Sequence, residues 1–127
     1  MGNGTSIGRV RGLGSANEGA HHWLIQRFTA IGNLVLAIWF VASLLLMSDL
    51  SYASVTKWFA SPVTATAMAL LVISTFWHAR LGVQVLMEDY IKASANKFAL
   101  LTLLNFAALG GAAFGLFCIF RLALGGA

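Results

Sequence analysis

Three long apolar runs, from about Trp23 to Met47, Thr64 to Met87 and Phe98 to Leu122, leave this sequence few ways to fold. A helix rises ~1.5 Å per residue, so roughly 20 residues cross a ~30 Å hydrocarbon layer, and each run is at least that long. Membrane barrel strands would instead alternate polar and apolar residues over ~10-residue segments. These runs are continuously apolar, which predicts an all-α chain with three transmembrane helices.

Composition agrees. Of 127 residues, 59% are apolar and 9% charged, against about 25% charged in a soluble domain. The first run exceeds the roughly 7 to 15 apolar residues of a cleaved secretory signal, so it is read as a retained span. Cys118 is the only cysteine and lies inside the third run, where it has no intrachain disulfide partner and reads as a small apolar side chain. The net charge is +4, but the basic residues are dispersed around the spans rather than gathered in a stripe with aromatics, which argues against nucleic acid.

Residues 1–20 are rich in Gly, Ser and Asn, carry Arg9 and Arg11, and read as a polar tail. Residues 21–127 form the membrane domain. The first connection, SDLSYASVTKWFASP, reads as a short interfacial loop, with Pro62 placed in the first turn of the next helix. The second, about Glu88 to Lys97, is brief enough to make its flanking spans antiparallel neighbours, giving an up-down-up trio. Arg9, Arg11, Arg27, Lys92 and Lys97 fall on the side of the N-terminus, against Lys57 and Arg121 on the other. The positive-inside bias then predicts a cytoplasmic N-terminus and a C-terminus across the membrane.

The second span breaks its apolar pattern in the stretch FWHARLGVQVLMEDY. His78 and Asp89 are eleven residues apart, so they lie ~16 Å apart along the axis and within about 20° of one helical face. This puts His78 near the bilayer midplane and Asp89 and Tyr90 at the membrane surface. Gly82, one turn from His78, permits close approach of another helix or a flat cofactor. A midplane histidine can tie two helices together by a hydrogen bond, or mark a cofactor, proton or ligand path; a neutral imidazole is also an axial ligand for haem iron. His21 and His22 belong to the surface region, so a second histidine ligand would have to come from another chain.

Arg80 reads either as a snorkelling cation or as a contact to a propionate or lipid. Arg27 and His21 are either head-group anchors or partners of haem carboxylates. Asp89 and Tyr90 are either an ordinary interfacial pair or a proton-delivering carboxylate beside a phenol that donates to a quinone carbonyl. In the third span Ala107, Gly111 and Gly115 form a small-residue face for close helix contact, and Asn105 offers an interhelical hydrogen bond.

The stretches HHWLIQRFTAIG and HARLGVQVLMEDY, the latter carrying H-x3-G-x-Q-x4-D-Y through His78, Gly82, Gln84, Asp89 and Tyr90, resemble a known family. It is that of the small cytochrome b membrane anchors of proteobacterial succinate dehydrogenase (respiratory complex II). The resemblance spans about Ser15 to Leu122 and implies one part of a heteromeric helical bundle in the bacterial inner membrane, with a periplasmic C-terminus. It implies His78 as an axial ligand of haem b shared with the larger cytochrome b anchor subunit. Tyr90 would be the ubiquinone hydrogen-bond donor, Asp89 would lie beside the quinone pocket, and His21 and Arg27 near the haem propionates. FAD and the iron-sulfur clusters would sit in the flavoprotein and iron-sulfur subunits, so this chain would do no succinate chemistry itself. Arg80 departs from the family pattern, and His22 has no assigned role. A reading from another class is a small transporter or channel subunit with an intramembrane path of His78, Arg80 and Asp89.

Overall fold

The computed structural model describes residues 16–125. Most of the polar segment expected over residues 1–20 therefore lies outside the described residues, as do Arg9 and Arg11. Four helices follow in order: α1 (Ala16–Leu46), α2 (Tyr52–Phe59), α3 (Pro62–Tyr90) and α4 (Ser94–Ala123). Three of them, α1, α3 and α4, are long and apolar enough to cross a membrane. The chain is a multi-pass all-α membrane protein. The 29 residues of α3 extend ~43 Å, so its ends reach beyond a ~30 Å hydrocarbon core into the head-group layers.

Local chemistry sets the helix limits. After α1 the chain turns through polar Ser48 and Asp49, whose carboxylate accepts from the Ser51 N–H at 2.8 Å. Ser51 then caps α2, its hydroxyl accepting from Ser54 N–H at 3.3 Å, a bond that satisfies an otherwise orphaned donor. Lys57 lies in the last turn of α2, where the helix dipole favours a cation. The expected loop thus contains an eight-residue helix. Pro62 occupies the start of α3 as expected, at a position where its missing N–H costs nothing. The α3–α4 connection has only Ile91, Lys92 and Ala93 between the helices, so the two spans run antiparallel. Gly125, at φ 73, supplies the left-handed residue that closes α4.

The spans form a row rather than a closed trio. Helix α3 packs against both α1 and α4, α2 packs on α3 and α4, and α1 and α4 do not pack on each other among the described residues. In the α3–α4 seam, Gly111 lies against the Phe76 ring and Gly115 against Val72. The small-residue face of α4 therefore lets the two backbones approach closely. In the α1–α3 seam, Ser74 Oγ donates to the Thr29 carbonyl at 3.4 Å, and Gly32 faces Ser74. Trp58 of α2 stacks on Trp39 of α1 with ring centroids 5.6 Å apart, which fastens the short helix over the end of the row. Aromatic clusters of this kind suit the boundary between hydrocarbon and water.

Among the described residues very little is buried: Thr64, Ala65, Leu81 and Ile119. Phe28, Ile31, Leu34, Val35 and Ile38 on α1, and Phe106, Leu109, Phe114 and Phe117 on α4, are exposed. In water such surface would be untenable. In a bilayer it meets lipid tails or other apolar helices without penalty, since chains packed there gain no hydrophobic driving force from hiding it from lipid.

Candidate functional site

His78 stands two residues past the centre of α3 (Pro62–Tyr90), about 3 Å along the axis, which places it at mid-depth. The seam with α1 gives it a partner. Thr29 Oγ1 lies 3.1 Å from His78 Nδ1, and the same oxygen is 3.0 Å from the carbonyls of both Ile25 and Gln26. A hydroxyl carries one proton. Where that proton goes to either carbonyl, Thr29 Oγ1 meets the imidazole as an acceptor from Nδ1–H. Nε2 is then the unprotonated nitrogen. It has no hydrogen-bond partner among the described residues and is not sealed from the surroundings.

Gly82 stands one turn from His78 on α3. A Cβ built on Gly82 would meet nothing within 4 Å, so beside the imidazole there is room for a flat group. Eleven residues on from His78, Asp89 returns to the same face, and Tyr90 closes the helix with 81% of its surface exposed. Neither Asp89 nor Tyr90 is held by another side chain among the described residues, which leaves both available at the membrane surface.

Arg80 belongs elsewhere. Two residues beyond His78 it is turned ~200° around α3, toward α4, where its Nε donates to Asn105 Oδ1. Its guanidinium also lies 5.6 Å from the Trp77 ring centroid, a cation–π contact. Within this chain Arg80 is therefore a tie between two spans, on the opposite side of α3 from His78. The anticipated interhelical bond of Asn105 has Arg80 as its partner.

The N-terminal half of α1 separates the remaining candidates. Arg27 is exposed, lies ~160° around α1 from Thr29, and rests 5.3 Å from the centroid of the Trp23 ring. Within this chain it does not converge on His78. His21 is also exposed. Its neighbour His22 shares the Thr29 stripe, seven residues away, and joins Gln26, Gln84 and Glu88 in lining a groove between α1 and α3. His22 Nε2 is buried there without a hydrogen-bond partner, while Gln84 donates to Glu88 at 2.8 Å. Sequence reasoning passed over Thr29 because a threonine inside an apolar span carries no local mark of function. Its seven-residue spacing from His22 was the one available hint.

Among the described residues no cluster of three or more His, Cys, Asp or Glu could hold a bare metal ion. The donor set is a single imidazole with one open nitrogen, which suits a metal already held in a macrocycle and awaiting an axial ligand.

Comparison with known proteins bears on the whole chain. Residues 1–114 match the family of succinate dehydrogenase/fumarate reductase transmembrane subunits. The succinate dehydrogenase hydrophobic membrane anchor subunit of Rickettsia bellii is 37% identical over 92 residues, 72% of this chain and 71% of that protein. The protein of the same description from Paracoccus denitrificans is 31% identical over 93 residues, 72% of this chain and 71% of its own length. That of Coxiella burnetii is 27% identical over 89 residues, covering 70% and 77%.

Proposed function

This chain belongs to the succinate dehydrogenase/fumarate reductase transmembrane subunit family, and from that premise we propose that it is the small membrane anchor of a succinate:quinone oxidoreductase. It holds haem b jointly with the larger cytochrome b anchor and contributes to the site where ubiquinone is reduced. The iron-sulfur and flavoprotein subunits, with their clusters and FAD, dock on its cytoplasmic side, and succinate is oxidised in them. The assembly lies in a bacterial inner membrane, with the N-terminus of this chain in the cytoplasm, as the distribution of lysine and arginine favours.

The observation that carries the haem assignment is the Thr29–His78 contact at 3.1 Å. It engages Nδ1 of a mid-depth imidazole and leaves Nε2 without a partner among the described residues, one turn from the open space at Gly82. These residues fit a haem. His78 Nε2 would be its axial ligand on this side, and Gly82 would admit the porphyrin edge. Bound there, haem supplies a one-electron store close to the quinone. The row of spans, with α3 in the middle and open space at Gly82, needs a second membrane subunit to enclose such a group.

At the surface end of α3, the Tyr90 phenol donates a hydrogen bond to a quinone carbonyl. That donor matters most as the oxygen gains negative charge, because a placed O–H stabilises the charge without reorganising water. Asp89, exposed beside it, exchanges protons with the aqueous phase. Arg27 is turned away from the α1–α3 seam and His21 is exposed, so their contacts to haem propionates would be made in the assembled complex. The channel reading loses support because Arg80 is turned away from His78 and Asp89 and is bonded to Asn105.

The test is a dithionite-reduced minus oxidised spectrum of the intact assembly purified through this chain. A low-spin b-type band that disappears in His78→Ala, with the partner subunits still present, is the expected result. Absence of that band from the wild-type assembly would overturn the haem assignment.

A further inference from the structure

We infer that Thr29 is the positioning residue for the haem ligand: its hydroxyl fixes His78 as the Nδ1–H tautomer and sets how strongly Nε2 donates to the metal. This rests on the haem assignment above and adds a residue from a different helix. Three observations carry it. Thr29 Oγ1 contacts His78 Nδ1 at 3.1 Å. The hydroxyl lies 3.0 Å from the carbonyls of both Ile25 and Gln26, and giving its proton to either leaves it an acceptor for the imidazole. The Thr29 backbone is itself pinned to α3, because Ser74 Oγ donates to its carbonyl at 3.4 Å and Gly32, one turn on, leaves Ser74 room to approach.

The opposite arrangement, with Thr29 donating to Nδ1, would place the ring proton on Nε2, where it blocks coordination. Thr29 as acceptor holds the tautomer that can ligate. A hydrogen-bond acceptor on the distal nitrogen of a ligating histidine orients the ring and raises its basicity. More electron density then reaches the metal, and the oxidised state is favoured. Thr29 thus couples the α1–α3 packing to the haem potential.

The experiment uses the purified complex with Thr29→Val and Thr29→Ser. Valine keeps the shape and removes the acceptor; serine keeps the acceptor. Haem per complex, the low-spin electron paramagnetic resonance signal and the haem midpoint potential are read for each. The expected outcome for valine is a raised potential, a changed spectral signature and a roughly 10- to 100-fold weaker hold on haem, with serine close to wild type. A valine variant with unaltered potential and spectrum would overturn the inference while leaving the haem assignment standing. Equal loss in valine and serine would also overturn it, since the hydroxyl would then be irrelevant. A wild-type complex without haem would remove the assignment itself, and the role of Thr29 with it.

Discussion

The Phe76 ring of α3 lies directly against Gly111 of α4, in a space that a single methyl group on Gly111 would fill. One turn further, a Cβ on Gly115 would stand 2.9 Å from Val72 Cγ1. The seam is built on missing side chains. Gly111→Val should force Phe76 off its position and destabilise the α3–α4 pair by about 1–3 kcal/mol, the usual cost of overpacking. The thermal midpoint of the detergent-solubilised assembly measures this, and a midpoint equal to wild type would contradict the packing described.

Gly82 is the contrasting case, since nothing in this chain occupies the space a side chain would take there. Gly82→Leu should therefore leave the α1–α3–α4 row intact and yet reduce haem content severalfold, because the added bulk fills the open space one turn from His78. Haem per complex and helical circular dichroism, measured on the same sample, separate the two effects.

Arg80 and Asn105 form a polar tie within the membrane. Asn105→Leu removes the acceptor and leaves a guanidinium in hydrocarbon, at an expected cost of about 1–3 kcal/mol. Arg80→Leu combined with Asn105→Leu should recover most of that loss, and haem content should stay normal throughout. A double variant no more stable than Asn105→Leu alone would show that the two residues do not depend on each other.

Tyr90, 81% exposed at the end of α3, has a role that one atom tests. Tyr90→Phe should retain haem and the partner subunits while lowering quinone reduction by succinate at least tenfold, an effect on the scale of losing one donor to a developing oxyanion. Reduction of an artificial dye that accepts electrons upstream of quinone should be unchanged.

Asp49 sets a pH dependence outside the spans. Hydrogen bonds from the Ser51 side chain first, then from the Ser54 side chain and the Ser51 backbone, lower its pKa to about 2. A carboxylate with a depressed folded-state pKa stabilises the fold above its unfolded value of about 3.9, and that contribution fades as pH falls toward 2. The turn into α2 should accordingly become more open to proteolysis between about pH 4 and 2. Asp49→Asn should make that susceptibility independent of pH across the window.

Much was legible in the sequence because it depends on neighbours along the chain. Helix type, the three spans and the antiparallel α3–α4 pair follow from continuous apolar runs and one short connection. The shared face of His78, Gly82 and Asp89 follows from helical period alone. Family membership was legible too, in the two stretches that open α1 and close α3. The helix inside the first connection was passed over, although Ser51 and Lys57 offered a cap and a dipole partner.

What the tertiary structure decided are the pairings between helices. Sequence periodicity says which residues share a face but not which helix that face meets, because a bilayer accepts an apolar face in almost any direction and so supplies no burial signal to orient it. Only with α3 set between α1 and α4 does Arg80 turn toward Asn105 and away from the site. Only there does Thr29, an ordinary threonine in an apolar run, come within hydrogen-bond distance of His78 Nδ1.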